Sequence, residues 1–147
     1  MLKRKNICIL TIMVLLILIS LSGCTGVKTA NLEISFDPNP VYCENNELHW
    51  RVIISETNGV GVNLKNITID AYVGDDYTGN SDIFDESWIE GVWGTSYLSA
   101  FSSVNYNSGK GPCETNVGVT LKYKITGMDD DGHQVEASAD LELMEQT

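Results

Sequence analysis

Two histidines, four cysteines and twenty carboxylates are the side chains of this chain that could do acid–base, nucleophilic or metal chemistry. His49 lies in an alternating apolar–polar stretch and His133 beside a turn. Neither has a cysteine or serine near it in a nucleophile setting, so both are assigned to the surface rather than to a base or ligand role. The densest acidic segment holds Asp75, Asp76, Asp82, Asp85, Glu86 and Glu90, interleaved with Tyr77, Phe84, Trp88 and Trp93. A calcium ion there would need about six to eight converging oxygens. An aromatic platform would instead take a sugar or peptide, and a solvated acidic loop would turn its tryptophans back onto the core. No spacing matches a calcium loop, and Trp88 and Trp93 stand too far apart to share a face, which favours the solvated loop. If the chain has a ligand or metal site, it is expected at Asp75, Asp76, Asp82, Asp85, Glu86, Trp88 and Trp93. In Asp129-Asp130-Asp131-Gly132 the three carboxylates alternate in direction rather than converge and lack the spacing of an EF-hand, which favours a plain hairpin turn over a calcium site. There is no glycine-rich phosphate loop, zinc spacing or nucleophile elbow, and acids are too abundant for any carboxylate pair to suggest a glycosidase. The chain is therefore expected to be non-enzymatic and without a cofactor, calcium being the one candidate.

The elements that position these residues follow a distinctive leader. Lys3, Arg4 and Lys5 precede an uncharged apolar run from Ile7 to Leu21, and small residues then lead to Cys24. This is the charge, apolar-core and cleavage-site order of a secretory signal. As a permanent helical anchor the run would reach only about 22 Å, against a hydrocarbon core of roughly 30 Å. Leu21-Ser22-Gly23-Cys24 resembles the lipobox of prokaryotic lipoproteins. That resemblance implies cleavage before Cys24, a diacylglyceryl group on its thiol, and a mature protein tethered to the extracytoplasmic face of the cell membrane. Two acyl chains hold a protein stably where one does so marginally. Residues 1–23 are then the signal peptide, 24–30 a short tether, and 31–147 one domain.

Beyond the leader, six cations face twenty carboxylates, a net charge of −14. Such acidity argues against nucleic acid or an anionic membrane surface as partner and is compatible with a cationic one. With Cys8 removed and Cys24 lipidated, Cys43 and Cys113 remain, and two thiols left in an exported domain are expected to be bridged. The loop closed would contribute about 4 kcal/mol by loop entropy. A metal pair is the alternative, but no further cysteine or suitably spaced histidine accompanies them. Asn66-Ile67-Thr68 is a glycosylation sequon, although chance explains most such matches in an asparagine-rich chain.

Alternation predicts strands over Leu32–Phe36, over about nine residues around Leu48, Trp50, Val52 and Ile54, and over a segment ending near Val73. Asn58-Gly59 suggests a tight hairpin that would pair Trp50 with Ile67 and Leu48 with Ile69. A longer loop carrying the chain to a second sheet is the other possibility, and the pairing stays open. Periodicity fades from Gly74 to Gly94 and resumes loosely over Tyr97–Val104. The clearest pattern is terminal: Val117, Val119, Leu121, Tyr123 and Ile125, then Val135, Ala137, Ala139, Leu141 and Leu143. Pairing Ile125 with Val135 puts all ten on one face of a hairpin.

About seven short strands and no helical period argue for an all-β fold, an antiparallel β-sandwich preceded by the signal helix. The pattern is similar to the immunoglobulin-like or fibronectin-like domains of prokaryotic surface proteins, although Cys43 and Cys113 precede strands instead of lying inside them. If the Trp50 and Val117 strands run the same way in facing sheets, both cysteines fall at one end and can bridge. The function expected is a lipid-anchored binding or structural module whose partners are the membrane, through Cys24, and another envelope protein or surface ligand. A calcium- or small-ligand-binding lipoprotein using segment 75–90 is the alternative.

Overall fold

A computed structural model of the chain describes residues 27–108 and 113–145. The signal segment and Cys24 lie outside them. The described elements run β1 (Leu32–Asp37), β2 (Val41–Tyr42), β3 (Trp50–Glu56), β4 (Val62–Val73), β5 (Asp76–Asp85), α1 (Glu86–Trp93), β6 (Tyr97–Leu98), β7 (Ser103–Ser108), α2 (Cys113–Asn116), β8 (Val119–Asp129) and β9 (Gln134–Met144). The chain is mostly β. A three-stranded sheet has the order β1-β3-β7, and a six-stranded sheet the order β2-β9-β8-β4-β5 with β6 on β4. Every pairing is antiparallel except β2 on β9, which is parallel, so the larger sheet is mixed and not wholly antiparallel as expected. Pro38 and Pro40, which cannot donate to a ladder, end β1 and pass the chain to the edge of the other sheet.

The alternating side chains of the two sheets face one another across the core. From the small sheet come Leu32, Val52 and Ile54, and from the large one Val62, Leu64, Ile67, Tyr123, Ile125, Leu141 and Leu143. Tyr123 of β8 links the sheets: its ring lies 4.9 Å from that of Phe36 on β1, and its hydroxyl accepts a hydrogen bond from Trp50 Nε1 on β3 at 3.2 Å. Burial raises the Tyr123 phenol above its ordinary pKa, so it stays a neutral hydroxyl in the core.

The terminal hairpin forms on the expected face but with its register moved by two residues. Ile125 pairs with Ala137, Tyr123 with Ala139 and Leu121 with Leu141, because the ladder continues to Met128–Gln134 and leaves only a tight turn. A slip of two preserves the facing of every side chain. The Asn58-Gly59 hairpin does not form. β3 and β4 belong to different sheets, and residues 57–61 carry the chain across. Glu56 determines this path: its buried carboxylate accepts the N–H groups of Asn58 and Gly59, both at 2.8 Å, and Gly59 adopts φ +81°. The irregular loop expected over 74–94 is also corrected, being a ten-residue strand, β5, followed by the helix α1. Its weak periodicity comes from position, because β5 is an edge strand with nearly all its residues exposed.

Cys43 and Cys113 form a disulfide with Cα atoms 5.8 Å apart. The Cys43 N–H donates to the Met144 carbonyl, and Gly118 N–H to that of Leu143. The bridge therefore fastens β2 and the start of β8 where β9 ends.

Candidate functional site

The residues that converge are aromatic rather than acidic. Asp85 caps α1, its carboxylate accepting the Trp88 N–H at 3.0 Å, and Gly94 closes the helix with φ +76° and an N–H bond to the Glu90 carbonyl. Between these caps Trp88, Ile89, Val92 and Trp93 lie at helical spacing. Ile89 is fully buried, while the two indoles turn toward the seam between the sheets. Trp88 stacks on Phe84 of β5 at 4.3 Å and meets Trp93 edge-on at 6.5 Å and Tyr106 of β7 at 5.6 Å. Trp93 Nε1 donates to the Asn105 carbonyl at 3.0 Å, tying the helix to β7. The expectation that the two tryptophans could not share a face fails because the intervening segment is a helix and not a loop.

These rings line a cleft of about 230 Å³, with Val52, Ile67, Ile69, Ser108 and Tyr123 completing its walls. A second hollow of about 250 Å³ shares Ile69, Phe84, Ser108 and Tyr123 with it and extends toward Trp50, Asp82, Asn116 and Leu143. Together they run along the seam between β5 and β7, the outermost strands of their sheets. All three tryptophans of the chain line this seam. Asp82, opposite Ile69 in the ladder, is the carboxylate in its wall.

The remaining acids of the segment are dispersed. Asp75 and Asp76 are exposed near the β4–β5 turn. Asp85 is held below the usual carboxylate range, first by the Ser87 hydroxyl and then by the Trp88 N–H. Glu86 is also lowered, mainly by its bond to Lys65 Nζ at 2.7 Å. Among the described residues no group of three or more His, Cys, Asp or Glu side chains is placed to hold a metal ion. His49 is exposed against Glu47 at 2.8 Å. Asn66 is exposed on β4.

Carboxylates organise the opposite part of the fold. Besides Asn58 and Gly59, Glu56 accepts the N–H groups of Asn31 and Phe101, so one side chain gathers three separate segments. Burial alone would raise its pKa, but the four N–H donors, that of Phe101 foremost, bring it down to about 2. Asp129, also buried, takes the N–H groups of Asp131, His133 and Ala30 and meets the His133 ring at 3.2 Å. Its pKa is lowered despite the burial that opposes this. Asp130 instead accepts from the Tyr97 hydroxyl, so the carboxylates of this turn diverge.

Sequence reasoning placed Phe84 among the aromatics of the segment but missed Tyr106 and Tyr123 as cleft residues, because they come from the distant strands β7 and β8. A signal for α1 was present in Asp85, the 88/89/92/93 apolar stripe and Gly94.

No protein-family model matches the chain, and no curated protein sequence does. Among solved structures it is similar to a Bordetella pertussis protein provisionally named ApaA, at 14% identity and a TM-score of 0.44, over 80% of this chain and 97% of that one. It is also similar to Spo0M, a sporulation control protein of Bacillus subtilis, at 9% identity and a TM-score of 0.41, over 82% of this chain and 51% of that one.

Proposed function

We propose that the chain is a lipid-anchored binding module of the extracytoplasmic membrane face, an immunoglobulin-like sandwich without catalytic activity. It takes an extended, apolar and cationic segment of another envelope protein along the β5–β7 seam. The observation that carries this is the aromatic cleft: five aromatic side chains, Phe84, Trp88, Trp93, Tyr106 and Tyr123, line a hollow open between two edge strands. Edge strands offer backbone donors and acceptors to an added strand, whose alternate side chains can then fill pockets. Asp82 in the wall and the net charge of −14 beyond the leader favour a cationic segment. The lipobox resemblance supports the tether at Cys24, and the two sheets with a shared core support the immunoglobulin-like description.

The seam reports on itself, since all three tryptophans line it. Titration with a peptide of alternating phenylalanine and lysine is expected to shift and quench the tryptophan emission. A peptide with serine for phenylalanine is expected to leave it unchanged, and Trp88→Ala to weaken the response at least tenfold, equivalent to about 1.4 kcal/mol. An emission spectrum indifferent to saturating phenylalanine–lysine peptide would remove the cleft as the binding site.

A further inference from the structure

The first described residues emerge where a second group of exposed apolar side chains is found. Phe101 is 72% exposed, Val27 70%, Tyr97 46% and Met128 42%. Their common location follows from bonds among the residues beside them, Met128 directly preceding Asp129. Glu56 accepts N–H groups of both Asn31 and Phe101. Asn58 Nδ2 donates to the Thr29 carbonyl at 2.6 Å, and the Phe101 ring covers Gly59, where an added Cβ would come within 2.5 Å of the ring. Tyr97 reaches Asp130, next to the Asp129 carboxylate that holds the Ala30 N–H. Phe101 is itself unusual: a bulky residue at φ +56°, a region such side chains rarely occupy, fixed by its N–H bond to Glu56 and directed outward. The ring covers Gly59 and is otherwise exposed.

We infer that this end of the domain is a membrane-contact surface, with Phe101 as its principal anchor and the headgroup layer of the bilayer as its partner. The inference rests on the proposed lipidation of Cys24 and extends it. Val27 follows Cys24 by only three positions, and that length of chain spans at most about 11 Å. The pole bearing Val27 and Phe101 is thus the one held against the lipid, at a reach comparable with the roughly 5–10 Å depth of interfacial apolar groups. Tyrosine favours this layer, and phenylalanine is among the apolar side chains buried at its boundary with the acyl chains. Asp130, Asp131 and Glu33 are exposed at the same end, so the surface suits neutral or zwitterionic headgroups and not an anionic leaflet. Contact would fix the orientation of the domain, so the seam between β5 and β7 stands beside the tether axis instead of pointing at random.

The test uses the full-length, processed protein in phosphatidylcholine vesicles whose acyl chains are brominated near the headgroup. Phe101→Trp is compared with wild type, whose tryptophans all line the seam. The emission added by the new indole is expected to fall by about half in brominated vesicles, as for a ring at headgroup depth, while the wild-type emission is little changed. Tyr97→Trp supplies a second probe at the same end should the Phe101 variant fold poorly, and its added emission should also be quenched. Protein that floats with the vesicles but whose added emission is unquenched at both positions would overturn the inference and leave the tether standing. Protein that does not float at all would overturn the tether, and the inference with it.

Discussion

Glu56 is a charge in the interior that replaces a stretch of sheet, satisfying four backbone donors that no ladder reaches. Its pKa of about 2, against 4.5 when free, means that the folded state binds the proton less readily than the unfolded one. The resulting stability is fully present above pH 4.5 and is lost as the pH falls toward 2. Glu56→Gln keeps the shape and removes the charge. It is expected to lower stability by about 2 kcal/mol at neutral pH and to flatten the acid limb of the stability curve, both measurable by urea unfolding across pH. A second expectation concerns Gly127, where an added Cβ would lie 2.7 Å from a Val62 methyl and 3.0 Å from the Asn63 carbonyl. Gly127→Ala should cost about 1–3 kcal/mol through overpacking, read from the midpoint of thermal unfolding. Neither role was legible in the sequence, in which Glu56 is one acid among twenty and its donors lie up to 45 positions away.

At the scale of elements, legibility followed burial. Strands with one face in the core, such as β1, β8 and β9, alternate clearly and were readable, as was the facing of Tyr123 with Leu121 and Ile125. Strand β5, exposed along nearly its whole length, carries no alternation to read. The switch of sheets after β3 was undecidable from Asn58-Gly59 alone, because that dipeptide suits a hairpin and the observed crossing equally. The candidate site was legible in part: Trp88, Trp93 and Asp82 fall within the segment singled out, but their convergence needed α1 and the distant Tyr106 and Tyr123. Asp85→Ala should loosen α1 at its cap and release both indoles from β5 and β7. The expected result is a weaker near-ultraviolet circular dichroism signal with the far-ultraviolet β spectrum retained, since the cap holds the helix and not the sheets.

The whole domain depends on contacts distant in sequence, and the Cys43–Cys113 bridge spans 70 positions. Replacing both cysteines by serine is expected to remove about 4 kcal/mol of stability, as reduction of the wild type should, with chemical denaturation as the measurement. On the proposed tether, Cys24→Ser should appear in the soluble fraction or remain unprocessed while keeping the same fold. The charge imbalance was plain from composition, whereas the two poles of the molecule became apparent only in three dimensions. Thr29 and Ala30 are bound at the pole of Glu56 and Asp129, while β9 runs from the turn beside Asp129 to Met144 at the disulfide. Its 11 residues extend about 35 Å. The two ends of the described chain thus lie at opposite poles along the strand direction. Tension applied between them would pull parallel to the strands, straining the six paired positions of β1 and β3 together in shear instead of peeling them apart one by one. A domain strung between a tether and a load in this way should resist force far better than its equilibrium stability alone would suggest.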